Sequence, residues 1–381
     1  MRRLWLIFAQ SATITLGILL AVSLLKPELM PWRGASITIQ EVAPQTAPQK
    51  ISPLSAAAKK AMPSVVNIFT SKEVQAPRRP LKDDPIFHHF FGDRPDAAPQ
   101  RVTSLGSGVI VSSQGFILTN HHVVEAADEI EVALADGRTA SARIIGTDPE
   151  TDLAVVKIDL KNLSPITFGR TEQTQVGDVV LAIGNPFGVG QTVTMGIVSA
   201  LGRSHLGIST YENFIQTDAA INPGNSGGAL VDASGNLIGI SSAIFSQSGG
   251  SLGIGFAIPV SLAKQIMEQI IQSGGVTRGW IGVEVQDITP ELAESFKLPS
   301  TTGALIAGVL RGGPADRAGI RPGDILVAIN DKAVADSSAM LNQISALPPN
   351  RPAMLKILRN RNTVALRVNI GKRPKFRQQE E

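Results

Sequence analysis

Asn222-Pro223-Gly224-Asn225-Ser226-Gly227-Gly228 sets one serine between glycines, after a turn and ahead of the apolar run Ala229-Leu230-Val231. A chain with this stretch must turn sharply and then enter a strand, and glycine is the residue that allows it. The chemistry is constrained as well. A serine hydroxyl is a weak nucleophile unless its Oγ is exposed and a base stands beside it. Flanking glycines leave room for a substrate backbone and let main-chain N–H groups converge on a developing oxyanion. Alone, the stretch reads more readily as a Gly/Ser surface turn. Two further motifs change that.

Gly115 to Val124 is an apolar strand running into His121 and His122, and Asp148 to Lys157 is a turn delivering Asp152 to another strand. The order His, Asp, Ser is that of chymotrypsin-like enzymes, and differs from subtilisins and α/β-hydrolases. In this scheme His122 takes the serine proton and later protonates the leaving group. Asp152 orients the imidazole, and Ser226 forms the acyl intermediate. The Gly224-Asn225-Ser226 turn forms the oxyanion hole, with the N–H groups of Gly224 and Ser226 as donors. Register favours His122 over His121, which alternation would turn to the other side of the strand end. With no cysteine and no His-x-x-x-His pair, no convergent metal-ligand set is legible, and no cofactor is expected.

The blocks TNHHVV, TDLAVVKI and GNSGGALVD, with AIGNPFGVGQTVTMGIVSA between the last two, resemble the HtrA/Deg family of serine endoproteases. A single C-terminal PDZ-like module and an N-terminal apolar segment resemble its membrane-anchored branch, the DegS-like and AlgW-like stress proteases. The resemblance covers residues 54–372. It implies a mainly β chain: a chymotrypsin-like double β-barrel, one PDZ domain and an N-terminal transmembrane helix. It also implies a homotrimer without metal or organic cofactor. Phe69 then becomes a candidate for subunit contact, with ordinary core as the alternative.

Composition excludes some classes. The formal charge of +3 is small for 381 residues, and basic residues form no stripe interleaved with aromatics, so a nucleic-acid partner is not expected. Leu4 to Leu25 carries no charge and would span about 33 Å as a helix, against a bilayer core of about 30 Å. Arg2 and Arg3 precede it, which favours a cytoplasmic N-terminus and a periplasmic bulk. A cleaved signal peptide with Ala21-Val22-Ser23 as its site is the rival reading, although the apolar run continues beyond it.

The expected domains are an anchor (1–26), a Pro/Gln/Ala-rich tether (27–53), a protease domain (54–274), a PDZ domain (276–372) and a charged tail (373–381). A short helix over 54–62 should precede a first strand over 65–69. Residues 71–101 form a Pro-rich insertion whose cluster Ile86 to Phe91 suggests a lid rather than a plain tether. From Leu105 on, short alternating runs broken by Asp136-Gly137 and Ser234-Gly235-Asn236 match a barrel signature. A helix over 258–272 with Val260, Ala263, Met267, Ile270 and Ile271 on its apolar face closes the domain.

In the PDZ module, Trp280-Ile281-Gly282-Val283 matches the carboxylate-binding loop, and a helix over 336–347 flanks the groove with Met340 and Ile344 as pocket residues. Peptide C-termini would enter by adding a strand to the sheet edge. Ile221, Ile244, Ile254 and Phe256 occupy the positions of the primary specificity pocket and predict a small or medium aliphatic residue before the scissile bond. Leu201 to Phe214 matches a sensor loop, with Arg203 and Glu212 as contacts across the domain junction.

Together these imply a periplasmic serine endopeptidase, single-pass in a bacterial inner membrane, that takes a protein substrate and a C-terminal peptide ligand. In that branch the substrate is an anti-sigma factor, cut when exposed C-termini of misfolded outer-membrane proteins occupy the PDZ. Constitutive quality-control proteolysis and a peptide-binding chaperone or adaptor are the alternatives.

Overall fold

A computed structural model of the 381-residue chain describes residues 2–25, 52–74, 100–125, 127–185, 190–244 and 251–374. It divides into two compact units, Met1–Lys50 and Ile51–Glu381. The first is helix α1 (Arg2–Leu25), whose large apolar side chains are exposed along its length. It is long and apolar enough to cross a membrane.

The second unit opens with α2 (Pro53–Ala61) and a 3-10 turn over Met62–Ser64 that absorbs Pro63. The first barrel follows, made of β1 (Val65–Val74), β2 (Gln100–Ile110), β3 (Phe116–Thr119), β4 (Glu129–Ala133), β5 (Thr139–Asp148) and β6 (Leu153–Ile158). It closes in the order β1-β2-β3-β6-β5-β4. The first strand runs five residues beyond the expected 65–69, because Val74 still pairs with Gln100. The expected insertion is therefore a hairpin with long stems, and its centre, with the Ile86 to Phe91 cluster, lies outside the described residues. Phe69 is half-buried.

The second barrel comprises β7 (Val179–Gly184), β8 (Thr192–Arg203), β9 (Phe214–Thr217), β10 (Ala229–Asp232), β11 (Leu237–Ile244) and β12 (Gly255–Pro259). It closes in the order β10-β11-β12-β9-β8-β7. Gly137 and Gly235 take left-handed φ in the two expected hairpin turns. Each barrel has its own interior. A third cluster of Leu118, Leu153, Val155, Phe214, Phe256 and Ile258 fills the seam between them.

Between β3 and β4 lies the one-turn helix α3 (His121–Val124). The closing helix α4 (Val260–Ser273) seals the seam with Val260, Ala263, Ile266 and Ile270. Ile271, expected on that face, is 38% exposed, and Ile266 takes its place. Ile258 belongs to β12. Gly274 ends the helix in a left-handed cap, its N–H bonding Ile270 O at 2.8 Å.

The PDZ module contains β13 (Gly279–Trp280), β14 (Val283–Asp287), α5 (Pro290–Ser295), β15 (Ala304–Val309), α6 (Pro314–Arg317), β16 (Ile325–Ile329), β17 (Lys332–Ala333), α7 (Ser337–Ser345), β18 (Pro352–Arg359), β19 (Asn362–Asn369) and β20 (Gly371–Lys372). Its main sheet runs β14-β15-β16-β18-β19, which leaves β14 as an edge strand. Asp336 is the cap of α7 rather than its first residue, accepting a bond from Ala339 N at 2.7 Å.

Candidate active site

The seam between the barrels brings the three motifs together. His122 sits on α3, and Asp152 follows β5 on the turn that leads into β6. Ser226 lies on the turn before β10. Because His121 and His122 are helical, about 100° separates them around the axis rather than the half-turn of a strand. His121 is directed to Glu125, 3.5 Å away, and His122 to Asp152.

Asp152 adopts φ +56, a left-handed conformation that a residue other than glycine keeps only when its surroundings fix it. They do so here. Its carbonyl accepts from Asn120 Nδ2 at 2.9 Å and His121 N at 3.1 Å. Its carboxylate receives His122 Nδ1 at 2.9 Å, His122 N at 3.0 Å and Ser242 Oγ at 2.8 Å. Burial alone would raise this carboxyl. The bonds and charge of His122, with the Ser242 hydroxyl, outweigh it and hold the group below the usual carboxylate range. An ionised Asp152 therefore faces Nδ1, which leaves Nε2 for the serine. Ser226 Oγ makes no hydrogen bond to His122 among the described residues. Such bonds are often long before substrate arrives.

The candidate oxyanion turn is more definite than its sequence. Gly224 has φ +95. Asn225 N–H is committed to Asn222 O at 2.9 Å, so Asn225 supplies no donor. Gly224 N and Ser226 N donate to no protein group among the described residues and stay free for an oxyanion. The pocket candidates fare differently. Ile221 and Phe256 are sealed in the core at 1% and 3% exposure and present no surface, because the interior of the second barrel takes Ile221 and the seam between the barrels takes Phe256. Ile254 is half-buried, and the side chain of Ile244 lies outside the described residues.

In the PDZ module, Gly282 has φ +77, and the N–H groups of Ile281 and Gly282 donate to nothing among the described residues. Free N–H groups beside an edge strand suit a carboxylate. Trp280 and Val283 are half-buried around this loop. Ile281, Met340 and Ile344 are all buried in the module's core, so the two helix residues are floor rather than wall.

The PDZ packs directly on the protease domain. Arg278 forks onto Asp148, reaches Glu150 at 3.2 Å and stacks over Tyr211. Arg373 joins Glu150 at 2.7 Å. Asn342 of α7 donates to Glu212 O at 2.9 Å. The Glu212 carboxylate accepts Leu206 N and Ile208 N, each at 2.7 Å, and so shapes its own loop. Arg203 bonds Gln216 within the barrel, at 2.7 Å, and does not cross the junction. His205 crosses instead, reaching Asp287 at 2.8 Å, and with Asp336 it forms a group whose ligand atoms lie within 4.8 Å. No motif in the sequence signals that convergence. Ser242 was missed too, since a serine in an apolar strand carries no signal until strand pairing sets it against Asp152.

The fold and site together define a trypsin-like serine peptidase carrying one PDZ domain. Family models agree: a trypsin-like peptidase domain matches residues 106–240, and a PDZ domain matches residues 279–370. The chain belongs to the HtrA-type family of serine endoproteases. A "Probable periplasmic serine endoprotease DegP-like" of Chlamydia muridarum is 49% identical over 296 residues, 77% of this chain and 60% of the relative. The chain thus spans less than two thirds of that relative. One of the same description from Hahella chejuensis is 45% identical over 82% of this chain and 68% of its own length. A solved "HtrA-type protease AlgW with decapeptide" is 56% identical, with a TM-score of 0.72, covering 85% of this chain and all of that one. The serine endoprotease from Yersinia pestis is 38% identical with a TM-score of 0.61, over 84% of this chain and 98% of its own.

Proposed function

We propose that this chain is a PDZ-gated serine endopeptidase of the bacterial envelope. His122, Asp152 and Ser226 form its triad, and Gly224 and Ser226 its oxyanion hole. It is anchored as a single pass in the inner membrane through α1 and works as a homotrimer. Its substrate is a membrane-embedded regulator of the anti-sigma-factor type, cut when exposed C-termini of misfolded outer-membrane proteins occupy the PDZ.

One observation carries the gating. α7, which lies beside the free edge of β14, also holds the 204–213 loop through Asn342 and Ser338. That loop enters β9, and β9 leads into the oxyanion turn. A peptide lodged between β14 and α7 therefore bears on an element bonded to the site, and differential contact in two states is what coupling requires. For the trimer, the outer face of the second barrel supports the reading. Val176, Val179, Val193, Met195 and Ile197 are 37–64% exposed there, an apolar face of the kind that oligomers cover. For the cleavage site, Ile254 is the one candidate among the described residues that keeps surface, and its aliphatic side chain favours a small or medium aliphatic residue before the scissile bond.

The test is the initial rate of cleavage of a periplasmic anti-sigma-factor domain by the chain from Ile51 onward, one compact unit. Peptides ending in a free or an amidated aromatic C-terminus are compared, with Ser226→Ala as the blank. Acceleration by the free acid alone supports the gate. Cleavage indifferent to peptide means constitutive quality control, and a rate equal to the blank rejects this substrate. Faster cleavage after lysine than after valine rejects the pocket reading.

A further inference from the structure

Ser107 is the only residue of Gly106-Ser107-Gly108 with a side chain. Added Cβ atoms at either glycine would meet Val123, Ile117 and Ile68 inside the first barrel, so Ser107 points the other way, toward the second. It is fully buried and uses every polar atom it has. Its N–H donates to Ser226 O at 2.8 Å, and its Oγ lies 2.6 Å from Gly224 O and 2.8 Å from Asn185 N. Its carbonyl accepts Thr119 Oγ1 at 2.7 Å. The direction of the hydroxyl bond is fixed. Asn185 N–H can only donate, so it takes a lone pair of Oγ, and the one hydroxyl proton goes to Gly224 O.

We propose that Ser107 is a positioning residue for the oxyanion hole, its hydroxyl holding the Gly224–Asn225 peptide so that the donors of Gly224 and Ser226 face the substrate. This rests on the reading of those two N–H groups as the hole. Both donor residues lie on a turn of the second barrel, yet a single residue of the first barrel grips each by its carbonyl. The grip matters most at Gly224, where left-handed φ and the lack of a side chain leave the backbone free to rotate. The Gly224–Asn225 peptide is then held at both ends, its C=O by Ser107 and its N–H by Asn222. The support extends outward through Asn185 at the end of β7, whose carbonyl accepts the Asn67 side chain.

The experiment compares Ser107→Ala with wild type in kcat, KM, affinity for a peptide boronate and affinity for the product peptide. A boronate adduct places an oxygen in the hole, and a product peptide need not. Removing a donor outright lowers kcat about 10²–10³-fold, so losing its positioner should lower kcat about 10- to 100-fold. KM and product affinity should stay within about twofold, and boronate affinity should fall in step with kcat. Ser107→Cys, which keeps a weaker donor, should recover part of both. Thr119→Val removes the bond on the far side of Ser107 and should lower the melting temperature without changing the ratio of boronate to product affinity. Wild-type kcat and boronate affinity in Ser107→Ala would overturn the proposal whatever its melting temperature. So would parallel losses in Ser107→Ala and Thr119→Val. Failure of the underlying reading looks different: a boronate adduct on the wild type would then leave the Gly224 amide signal unshifted in NMR spectra.

Discussion

Ser242→Ala probes the His122–Asp152 half of the proposed triad, which is already assembled. Its hydroxyl donates to an ionised carboxylate at 2.8 Å, with Ser242 3% and the Asp152 side chain 14% exposed. A hydrogen bond to a charged group contributes about 1.5–3 kcal/mol. Asp152 keeps its two His122 contacts, and its charge matters most once the imidazole has become imidazolium, so roughly half of that should appear in the transition state. Half is about 0.8–1.5 kcal/mol, a fall of roughly four- to twelvefold in kcat/KM. The pH profile should move as well. A carboxyl depressed in the fold contributes stability above its unfolded value, about 3.9, and loses it as pH falls through the folded one. Removing Ser242 raises the folded value, so acid inactivation and acid unfolding should both begin at higher pH. The assay is kcat/KM for a chromogenic peptide from about pH 4 to about pH 8, with thermal melts at each end. A kcat/KM within about twofold of wild type and an unmoved acid limb would mean that the Ser242 hydroxyl does not support Asp152.

Arg278→Met should destabilise the Ile51–Glu381 unit by about 3–5 kcal/mol in urea melts, because it strands Asp148, whose side chain is 5% exposed. A loss below about 1 kcal/mol would show that Asp148 finds another partner. His205→Ala removes a half-exposed ion pair to Asp287 and should leave stability within about 1 kcal/mol. It should raise the peptide-independent rate about two- to fivefold, and an unchanged or lower rate would contradict a restraining contact. Gly227→Ala should abolish activity or folding, since a Cβ there meets Ser107 O and Thr119 Oγ1 at left-handed φ. An active, soluble variant would mean that the turn is looser than its geometry.

What could be read in advance was local chemistry. His122, Asp152 and Ser226 each sit in a motif whose residue types and order limit the alternatives, and Gly137 and Gly235 mark turns through backbone freedom alone. What could not be read depends on how distant strands register. Ser107 and Ser242 are ordinary serines until β2 and β11 close their barrels around the site. Ile221 and Phe256 stand in pocket-wall positions, but the second barrel's interior takes the one and the seam between the barrels the other. Asn225 belongs to the oxyanion motif, yet its N–H is used within the turn. Ile266 and Ile271 differ only in helical phase, which the seam between the barrels decides. His205 came together with Asp287 and Asp336 only because the PDZ packs on the loop that carries it.

The most direct measurement is the rate at which a fluorophosphonate modifies the resting chain, with the modified residue identified by mass spectrometry, in the presence and absence of a C-terminal peptide. Label is expected on Ser226 alone, faster with a free carboxylate, unaffected by the amide and lost in His122→Ala. Label on another serine, or equal rates with acid and amide, would contradict the proposed triad or its gating.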